Sequence, residues 1–200
     1  MRCSGVQGLI ERGGYSIIII CVTLAGLSYI IFPPLSTLLI FAAIFTAYFF
    51  RDPERDIEDG VVSPADGKID YIGDRRLEIF MSPFDCHVNR SPVSGRIVSV
   101  KFMEGSTPPA FIRKRGVRTN EILIESDDGI FRVLQMAGIF ARRVVSYVKE
   151  GDVVRKGDRI GMIRFGSRVV LEVPEGYRFV RNVGEKVKAG ETVALKDESI

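Results

Sequence analysis

A long stretch without any charged residue limits most strongly what this chain can fold into. It covers Tyr15–Phe50 and reads YSIIIICVTLAGLSYIIFPPLSTLLIFAAIFTAYFF. As one straight helix it would be about 54 Å long, whereas the hydrocarbon core of a bilayer is only about 30 Å thick. The pair Pro33-Pro34 lies near its middle and disfavours an unbroken helix there. We therefore expect a transmembrane hairpin with one segment over 15–32 and a second over 35–50.

The second segment is short, so a re-entrant or obliquely inserted pair of segments fits the same run. A secretory signal fits less well, because it has a single apolar core of about 7–15 residues before a cleavage site. A buried helix of a soluble protein would usually be shorter. Arginines flank the run at positions 2, 12, 51 and 55. By the positive-inside rule, a hairpin places both flanks in the cytoplasm, so we expect 1–50 to anchor a cytoplasmic domain to the cell membrane.

The rest of the chain is predicted to be one mainly β domain over 61–200, which makes the fold class α+β with the helical anchor included. A polar linker, RDPERDIEDG at 51–60, leads into it. Short runs rich in Val, Ile and Phe alternate there with turn residues. These runs are KIDYIG, RLEIFMS, GRIVSVKF, EILIES, IFRVLQM, GMIRF and RVVLEV. Asp127-Asp128-Gly129 favours a hairpin between two of them, whereas AGIFARRVVSYV at 137–148 suits a helix or a strand.

Two short internal repeats predict a domain of two similar halves. SPADGKI at 63–69 returns as SPVSGRI at 91–97, and EGDVVRKGDRIGMI at 150–163 returns as VGEKVKAGETVALK at 183–196. The longer pair shares a G-[DE]-x-V-x-x-G unit, in which two turn glycines bracket a short strand. This pattern is typical of barrel-sandwich domains of the biotinyl/lipoyl-carrier type. Such carriers present a modified Lys between their halves, and this sequence has no convincing Lys there.

Composition excludes several kinds of site. Lys and Arg number 28 against 25 Asp and Glu, so the net charge of +3 gives no strong signal for nucleic acid as a partner. Three Cys and one His do not supply a set of soft ligands for a metal, nor a disulfide framework. His87 is the one imidazole, so chemistry that needs a group titrating near neutral pH depends on it.

Three segments carry the parts of a base-activated nucleophile. SPADG contains Asp66, MSPFDCHVNR contains His87, and IRFGSR contains Gly166 and Ser167. An Asp can orient an imidazole, and the imidazole can take the proton of a Ser hydroxyl. Each segment alone also fits an ordinary turn or a structural histidine. Ser167 lacks the G-x-S-x-G frame of a hydrolase, but a Gly before it leaves a carbonyl open to attack by the neighbouring hydroxyl.

In this order behind an apolar N-terminus, SPADG, SPFDCHVNRSPVSG and IRFGSR resemble the phosphatidylserine decarboxylase family. The short form found in archaea and some bacteria, which includes archaetidylserine decarboxylases, is most similar, over essentially all of 61–174. Members are lyases made as proenzymes, or zymogens, that cut themselves at a Gly-Ser bond. The resemblance implies autocatalytic cleavage between Gly166 and Ser167, with His87 and Asp66 completing the triad.

The resemblance also implies the products, the cofactor and the reaction. The cut would give a β chain 1–166 and an α chain 167–200, which stay together through strand pairing. Ser167 would become a pyruvoyl group, which forms a Schiff base with a serine phospholipid and releases carbon dioxide to give the ethanolamine lipid. Neither a metal nor pyridoxal phosphate is expected. Arg168, beside the pyruvoyl group, is a candidate for contact with an anionic group of the lipid.

Two positions depart from the longer bacterial and mitochondrial forms of the family. Those forms read L-G-S-T where this chain has Phe165-Gly166-Ser167-Arg168, and they place a second His where this chain has Arg90. The three triad positions are unaffected. Whatever the second His does in those forms must be done by another group here, or not at all.

The loop STPPAFIRKRGVR is predicted to be a second contact with the membrane. Phe111 and Ile112 suit the membrane interface, and a cation near an anionic surface contributes ~1 kcal/mol. The cations are Arg113, Lys114, Arg115 and Arg118. A solvated basic loop fits the same residues equally well.

An adaptor without enzymatic activity is the alternative function. A membrane-anchored, carrier-like β-sandwich would have the same apolar run and the same glycine repeats. It leaves the segments around Asp66, His87 and Ser167 unexplained, and it predicts a chain that stays uncut.

Overall fold

A computed structural model describes residues 10–106, 117–138, 144–164 and 167–197, although not the side chain of Ser167. The chain divides into two compact units, Met1–Glu54 and Arg55–Ile200.

The first unit consists of two helices, α1 (Arg12–Tyr29) and α2 (Pro33–Phe49), which pack against each other. The backbone N–H of Glu11 donates to the carbonyl of Phe50 at 2.8 Å and ties the two outer ends together. The pair Pro33-Pro34 takes the first positions of α2, where a missing N–H costs little because these amides have no partner within a helix. The prolines therefore begin the second helix, and the turn lies just before them.

Both helices expose apolar side chains. Ile19, Leu27 and Phe41 have exposed fractions of 63%, 67% and 66%. Among the helices described, α1 is long and apolar enough to cross a membrane, and α2 is apolar but shorter. The length and composition of α1 therefore fit the first predicted membrane segment.

The second unit is built from strands. Its described strands are β1 (Val61–Val62), β2 (Gly67–Ile72), β3 (Arg76–Met81), β4 (Val88–Arg90), β5 (Gly95–Met103), β6 (Thr119–Ser126), β7 (Gly129–Ala137), β8 (Val144–Ser146), β9 (Val153–Val154), β10 (Arg159–Ile163), β11 (Ser167–Glu172), β12 (Tyr177–Phe179), β13 (Lys186–Val187) and β14 (Thr192–Lys196). Each of the seven predicted runs contains one of these strands, so the mainly β prediction is confirmed. Of the ambiguous segment 137–148, residues 144–146 form β8, and 139–143 lie outside the described residues.

The strands form one large and two small antiparallel sheets. The large sheet has the order β13-β2-β3-β11-β7-β6-β5-β9, and the small sheets have the orders β1-β14-β12 and β4-β10-β8. In the large sheet β11 is central, with Ser167–Glu172 paired along its whole length to Arg76–Met81 on one side and to Arg132–Ala137 on the other. Val169 and Leu171 point from β11 into the hydrophobic core.

The repeated sequences fold into repeated pairings. β1 and β2 pair with β14 and β13, just as β4 and β5 pair with β10 and β9. Ser63 Oγ and Ser91 Oγ each donate, at 2.7 Å, to the carbonyl two residues further on. A Cβ on Gly67 or on Gly95 would lie 2.3 or 2.2 Å from a carbonyl oxygen of the facing strand. Both repeats therefore need a glycine at this point, because the facing backbone leaves no room for a side chain.

Candidate active site

The large sheet and one small sheet are connected by three pairs of strands. β3, β11 and β7 are neighbours in the large sheet, and β4, β10 and β8 are neighbours in the small sheet. Along the chain β3 is followed by β4, β7 by β8 and β10 by β11, so the two sheets have these strands in the same order. β10 and β11 are therefore each the middle strand of three, and we refer to the end of β10 at Ile163 and the start of β11 at Ser167 together as the junction. The predicted cleavage position lies between these two residues along the chain, where Phe165 and Gly166 lie outside the described residues.

The backbone of Ser167 is held at this junction from both sides. Ser167 is the first residue of β11 and pairs with Met81 in β3 and with Ala137 in β7. Both of those neighbours are buried, with exposed fractions of 0% and 2%. A residue paired on both sides within a buried sheet has little conformational freedom. The sheet thus fixes where the backbone of the predicted nucleophile lies in the domain.

His87 lies in the link from β3 to β4 and is fully buried. Its backbone carbonyl accepts a hydrogen bond from the N–H of Ile163, at 3.3 Å, at the end of β10. Its ring Nδ1 lies 2.8 Å from the carbonyl oxygen of Asp85. A carbonyl oxygen can only accept, so Nδ1 carries the proton of this bond. In the neutral ring Nε2 then has the lone pair, which is the form that a general base requires.

Asp66 lies just before β2, at the same end of the strands of the large sheet as Ser167. One carboxylate oxygen is 2.6 Å from Arg55 Nη2, and the other accepts the backbone N–H of Ala189 at 2.9 Å. Both side chains of the ion pair are mostly buried, with exposed fractions of 13% and 11%. Thus the carboxylate of Asp66 bonds to Arg55 and Ala189, while the ring of His87 is oriented by a backbone carbonyl.

Ser94 occupies the place of Asp66 in the other half of the domain. Its Oγ accepts the backbone N–H of Lys156 at 2.9 Å, in the same way as Asp66 accepts that of Ala189. This bond is therefore a structural feature of both halves. The negative charge of Asp66 and its ion pair with Arg55 distinguish the first half from the second.

A chain of buried amides lies close to the junction and was not predicted. Gln135 Nε2 donates to Asn89 Oδ1 at 2.7 Å, and Asn120 Nδ2 donates to Gln135 Oε1 at 2.8 Å. All three residues are fully buried. A Cβ on Gly161 would lie 2.7 Å from Gln135 Nε2, so the glycine of β10 makes room for this amide. The signal in the sequence was Asn89, which stands two residues after His87 in the same motif.

Two arginines singled out from the sequence have partners within the domain. Arg90, at the position of the second His of the longer forms, is buried and donates to the carbonyl of Gly157 at 3.1 Å. Arg168 contacts the carboxylates of Asp70 and Glu78. Its contact with a lipid group stays a prediction.

The structure describes the predicted basic loop only in part. Of the basic loop, 107–116 lie outside the described residues, whereas Arg118 forms an ion pair with Glu104 at 2.6 Å. Within the described ranges, no group of three or more His, Cys, Asp or Glu side chains could hold a metal ion.

Comparisons with known proteins agree on one family. The family model described as phosphatidylserine decarboxylase matches residues 42–78 and 70–195. The chain is 73% identical, over 96% of its own length and 98% of the relative's, to a protein of Archaeoglobus fulgidus provisionally named an archaetidylserine decarboxylase proenzyme. It is 41% identical, over 80% of its length and 77% of the relative's, to a phosphatidylserine decarboxylase proenzyme of Beijerinckia indica.

A relative from Methanosarcina mazei, also provisionally named an archaetidylserine decarboxylase proenzyme, is 47% identical over 72% of both chains. The similarity therefore extends to archaeal and bacterial proteins, and with the first of these relatives it spans nearly the full length. These matches, together with the order of the three motifs, establish that the chain belongs to the phosphatidylserine decarboxylase family.

Proposed function

We propose that this chain is a self-processing proenzyme that decarboxylates a serine phospholipid, either phosphatidylserine or archaetidylserine, to the ethanolamine lipid. Family membership supports the decarboxylase activity, and the names of the relatives support both classes of lipid. The observation that carries the proposal is the junction itself. The backbone of Ser167 begins the central strand, and the link with the buried His87 runs beside the strand that leads to it.

Self-processing needs only the residues of this chain. Ser167 Oγ attacks the carbonyl carbon of Gly166 while His87 Nε2 takes the hydroxyl proton. The peptide C–N bond breaks, the amine nitrogen receives the proton, and an ester remains. Loss of the Cα proton of residue 167 and cleavage of its Cβ–O bond then release the Gly166 carboxylate and leave a dehydroalanine. This tautomerises to an imine, and water replaces its nitrogen, which leaves as ammonia, to give the pyruvoyl ketone.

The sheet and His87 supply what decarboxylation requires. A pyruvoyl carbonyl provides an electron sink for a substrate bound through its amine. The pairing of β11 with β3 and β7 keeps residue 167 in place after the cut. His87, the one imidazole of the chain, supplies from Nε2 the proton that replaces the carboxylate.

Anchoring and architecture complete the proposal. α1 and α2 form a hairpin in the cell membrane that keeps a cytoplasmic catalytic domain near the lipid headgroups, and the arginines flanking the run support this orientation. The equivalent pairings of the two repeats support halves of the barrel-sandwich kind.

Mass and activity of the purified full-length protein test the proposal. The chain of 22.3 kDa should separate on a denaturing gel into fragments of about 18–19 kDa and about 4 kDa by residue count, the smaller with a blocked N-terminus. Vesicles with phosphatidylserine or with archaetidylserine should identify the lipid that is decarboxylated. A chain that stays whole with an unmodified Ser167 would instead support the adaptor.

We expect the two fragments to remain associated under native conditions. The α chain would contain β11 to β14, which pair with β1, β2, β3 and β7 of the β chain, and it would supply core residues such as Val169, Leu171 and Val193. Size-exclusion chromatography in buffer should show both fragments in one peak, and guanidinium chloride should separate them. Release of the small fragment in buffer alone would contradict this expectation.

A polar contact also crosses the proposed cut, at the far end of the large sheet. Tyr177 donates its hydroxyl proton to Asp128 at 2.8 Å. Partial burial, followed by this bond, raises the pKa of Tyr177 to about 12. Because the folded pKa lies above the ordinary value of about 10, the contact contributes fully below pH 10 and is lost as the pH rises through about 12.

The charge of Asp66 can be tested apart from its structural bond. Asp66→Ser keeps an acceptor for the Ala189 N–H, as Ser94 does for Lys156, but removes the carboxylate. We expect a folded protein whose rate of cleavage falls at least about tenfold, because the triad loses its negative charge. Ser94→Ala is the matched control, since it removes the equivalent bond in the other half and should cut at the normal rate. Normal cleavage of Asp66→Ser would leave Asp66 with a structural role alone.

A further inference from the structure

Arg168 is the first residue after the predicted nucleophile, and its side chain is buried. Only 6% of the side chain is exposed. Its Nη1 lies 2.6 Å from Glu78 Oε2 and 2.7 Å from a carboxylate oxygen of Asp70. The side chain of Glu78 is also buried, with 9% exposed, and that of Asp70 is partly exposed, with 30%. The guanidinium is therefore already neutralised by two carboxylates inside the domain.

Both carboxylates belong to strands on the other side of the proposed cut. Asp70 lies on β2 and Glu78 on β3, which precede Gly166 by many residues, whereas Arg168 lies on β11. After cleavage, these ion pairs join the α chain to the β chain. They do so one residue away from the new N-terminus, closer than any other side chain of the α chain except that of residue 167 itself.

A new chain end needs to be held in place. Before cleavage, Ser167 is connected covalently on both sides, whereas after cleavage residue 167 is a terminus, and chain termini lose order unless they are tied down. The ladder with β3 and β7 fixes the backbone of the strand. A buried charge pair is sensitive to displacement, because moving either partner leaves a buried charge without compensation.

The local charge also argues against a lipid phosphate as the partner of Arg168. Asp70 and Glu78 together carry two negative charges against the one of Arg168, and another cation, Arg76, is bound to Glu78 through its Nε at 2.9 Å. An anion approaching Arg168 would have to displace two carboxylates from a buried guanidinium.

We propose that Arg168 is a positioning residue, which anchors the new N-terminus of the α chain through Glu78 and Asp70 and so holds the reactive group of residue 167 in register. This inference rests on the proposed function. Arg168 then aligns the reacting group, while other residues determine the affinity for the substrate.

Steady-state kinetics of the full-length protein with phosphatidylserine or archaetidylserine in detergent micelles, using whichever lipid the wild type converts, tests the inference. Arg168→Met removes the charge at similar length. We expect kcat to fall between about 10- and 100-fold, because a small misplacement of a reacting group has effects of this size, while KM stays within about twofold. Arg168→Lys, which keeps the charge, should recover part of kcat. Mass spectrometry gives the fraction of the small fragment that reacts with a carbonyl reagent, and this fraction is the share of each variant that carries the pyruvoyl group. The value of kcat is then expressed per pyruvoyl group.

Arg132→Met is the matched control. Arg132 lies on the neighbouring strand β7 and forms ion pairs with Glu121 and Glu172, but its side chain is 39% exposed and it is not adjacent to the cut. This variant should keep both kcat and KM. If Arg168→Met fails to fold, the double variant Arg168→Met/Glu78→Gln removes both members of the buried pair and should fold, with kcat still reduced.

The possible outcomes are distinct. A raised KM with unchanged kcat for Arg168→Met would show that Arg168 contacts the substrate and would overturn the inference. Unchanged kcat and KM, in the single or in the double variant, would overturn it as well. A wild-type chain that remains uncut would refute the proposed function itself, and with it the new terminus that Arg168 is proposed to anchor.

Discussion

Replacing Ser167 by Ala is expected to leave one polypeptide of 22.3 kDa, whereas we expect two fragments from the wild type. The methyl side chain has no oxygen to attack the Gly166 carbonyl, so neither the ester nor the ketone derived from it can form. Decarboxylation should fall to the background rate at the same time. Because position 167 begins a strand that is paired on both sides, the fold should survive, and the circular dichroism spectrum should match that of the wild type.

The chain offers a matched control for this variant. Gly105-Ser106 is the other Gly-Ser pair of the sequence. Ser106→Ala should therefore be processed normally, and Ser167→Cys should retain slow cleavage, because a thiol is also a nucleophile. Cleavage at Gly105-Ser106 would instead give fragments of about 12 and about 11 kDa by residue count, which a gel distinguishes at once. Two fragments of about 18–19 and about 4 kDa from Ser167→Ala would show that the nucleophile has been misassigned.

The long strands of the domain were predictable because each is long enough to show its own pattern. EILIES and IFRVLQM, for example, form β6 and β7, and the two residues Asp127 and Asp128 between them form the turn. Strands of two residues, such as β9 and β13, have no periodicity to detect, because their place is set by the partner strand. The repeated glycines nevertheless indicated where these short strands lie.

The candidate members of the site stand out by residue type and motif, but their hydrogen-bond partners do not. His87 stood out as the one imidazole. The acceptor of its Nδ1 is the backbone carbonyl of Asp85. Every residue has such a carbonyl, so residue types alone do not indicate which one accepts this bond. The Ala189 N–H that Asp66 accepts is equally a backbone group, and it lies 123 positions further along the chain.

The contacts of Arg168 could not be predicted from the residues next to it in the sequence. Its position beside Ser167 suggested a side chain available to the substrate. The sheet instead places Asp70 and Glu78, respectively 98 and 90 positions earlier, against its guanidinium. Adjacency across strands depends on register and topology, which a single sequence specifies only through the finished fold.

Replacing His87 by Gln is expected to slow self-cleavage by about 10²- to 10⁴-fold, which is the usual contribution of a general base. The amide N–H of Gln can donate to the Asp85 carbonyl, as Nδ1 of His87 does, so the link from β3 to β4 should keep its structure. The amide cannot take a proton from Ser167 at neutral pH. Synthesis of the variant in a cell-free system, followed by sampling over hours, would give the rate at which the fragments appear.

Two comparisons decide whether a slow His87→Gln chain reflects lost base catalysis or disturbed packing. Cys86 adjoins His87 and is also buried, so Cys86→Ala perturbs the same link without removing the imidazole, and it should be cut at nearly the wild-type rate. In addition, the circular dichroism spectrum of His87→Gln should match that of the wild type. Equal rates for His87→Gln and the wild type would remove the imidazole from self-processing, whereas equal slowing in Cys86→Ala would assign the loss to packing.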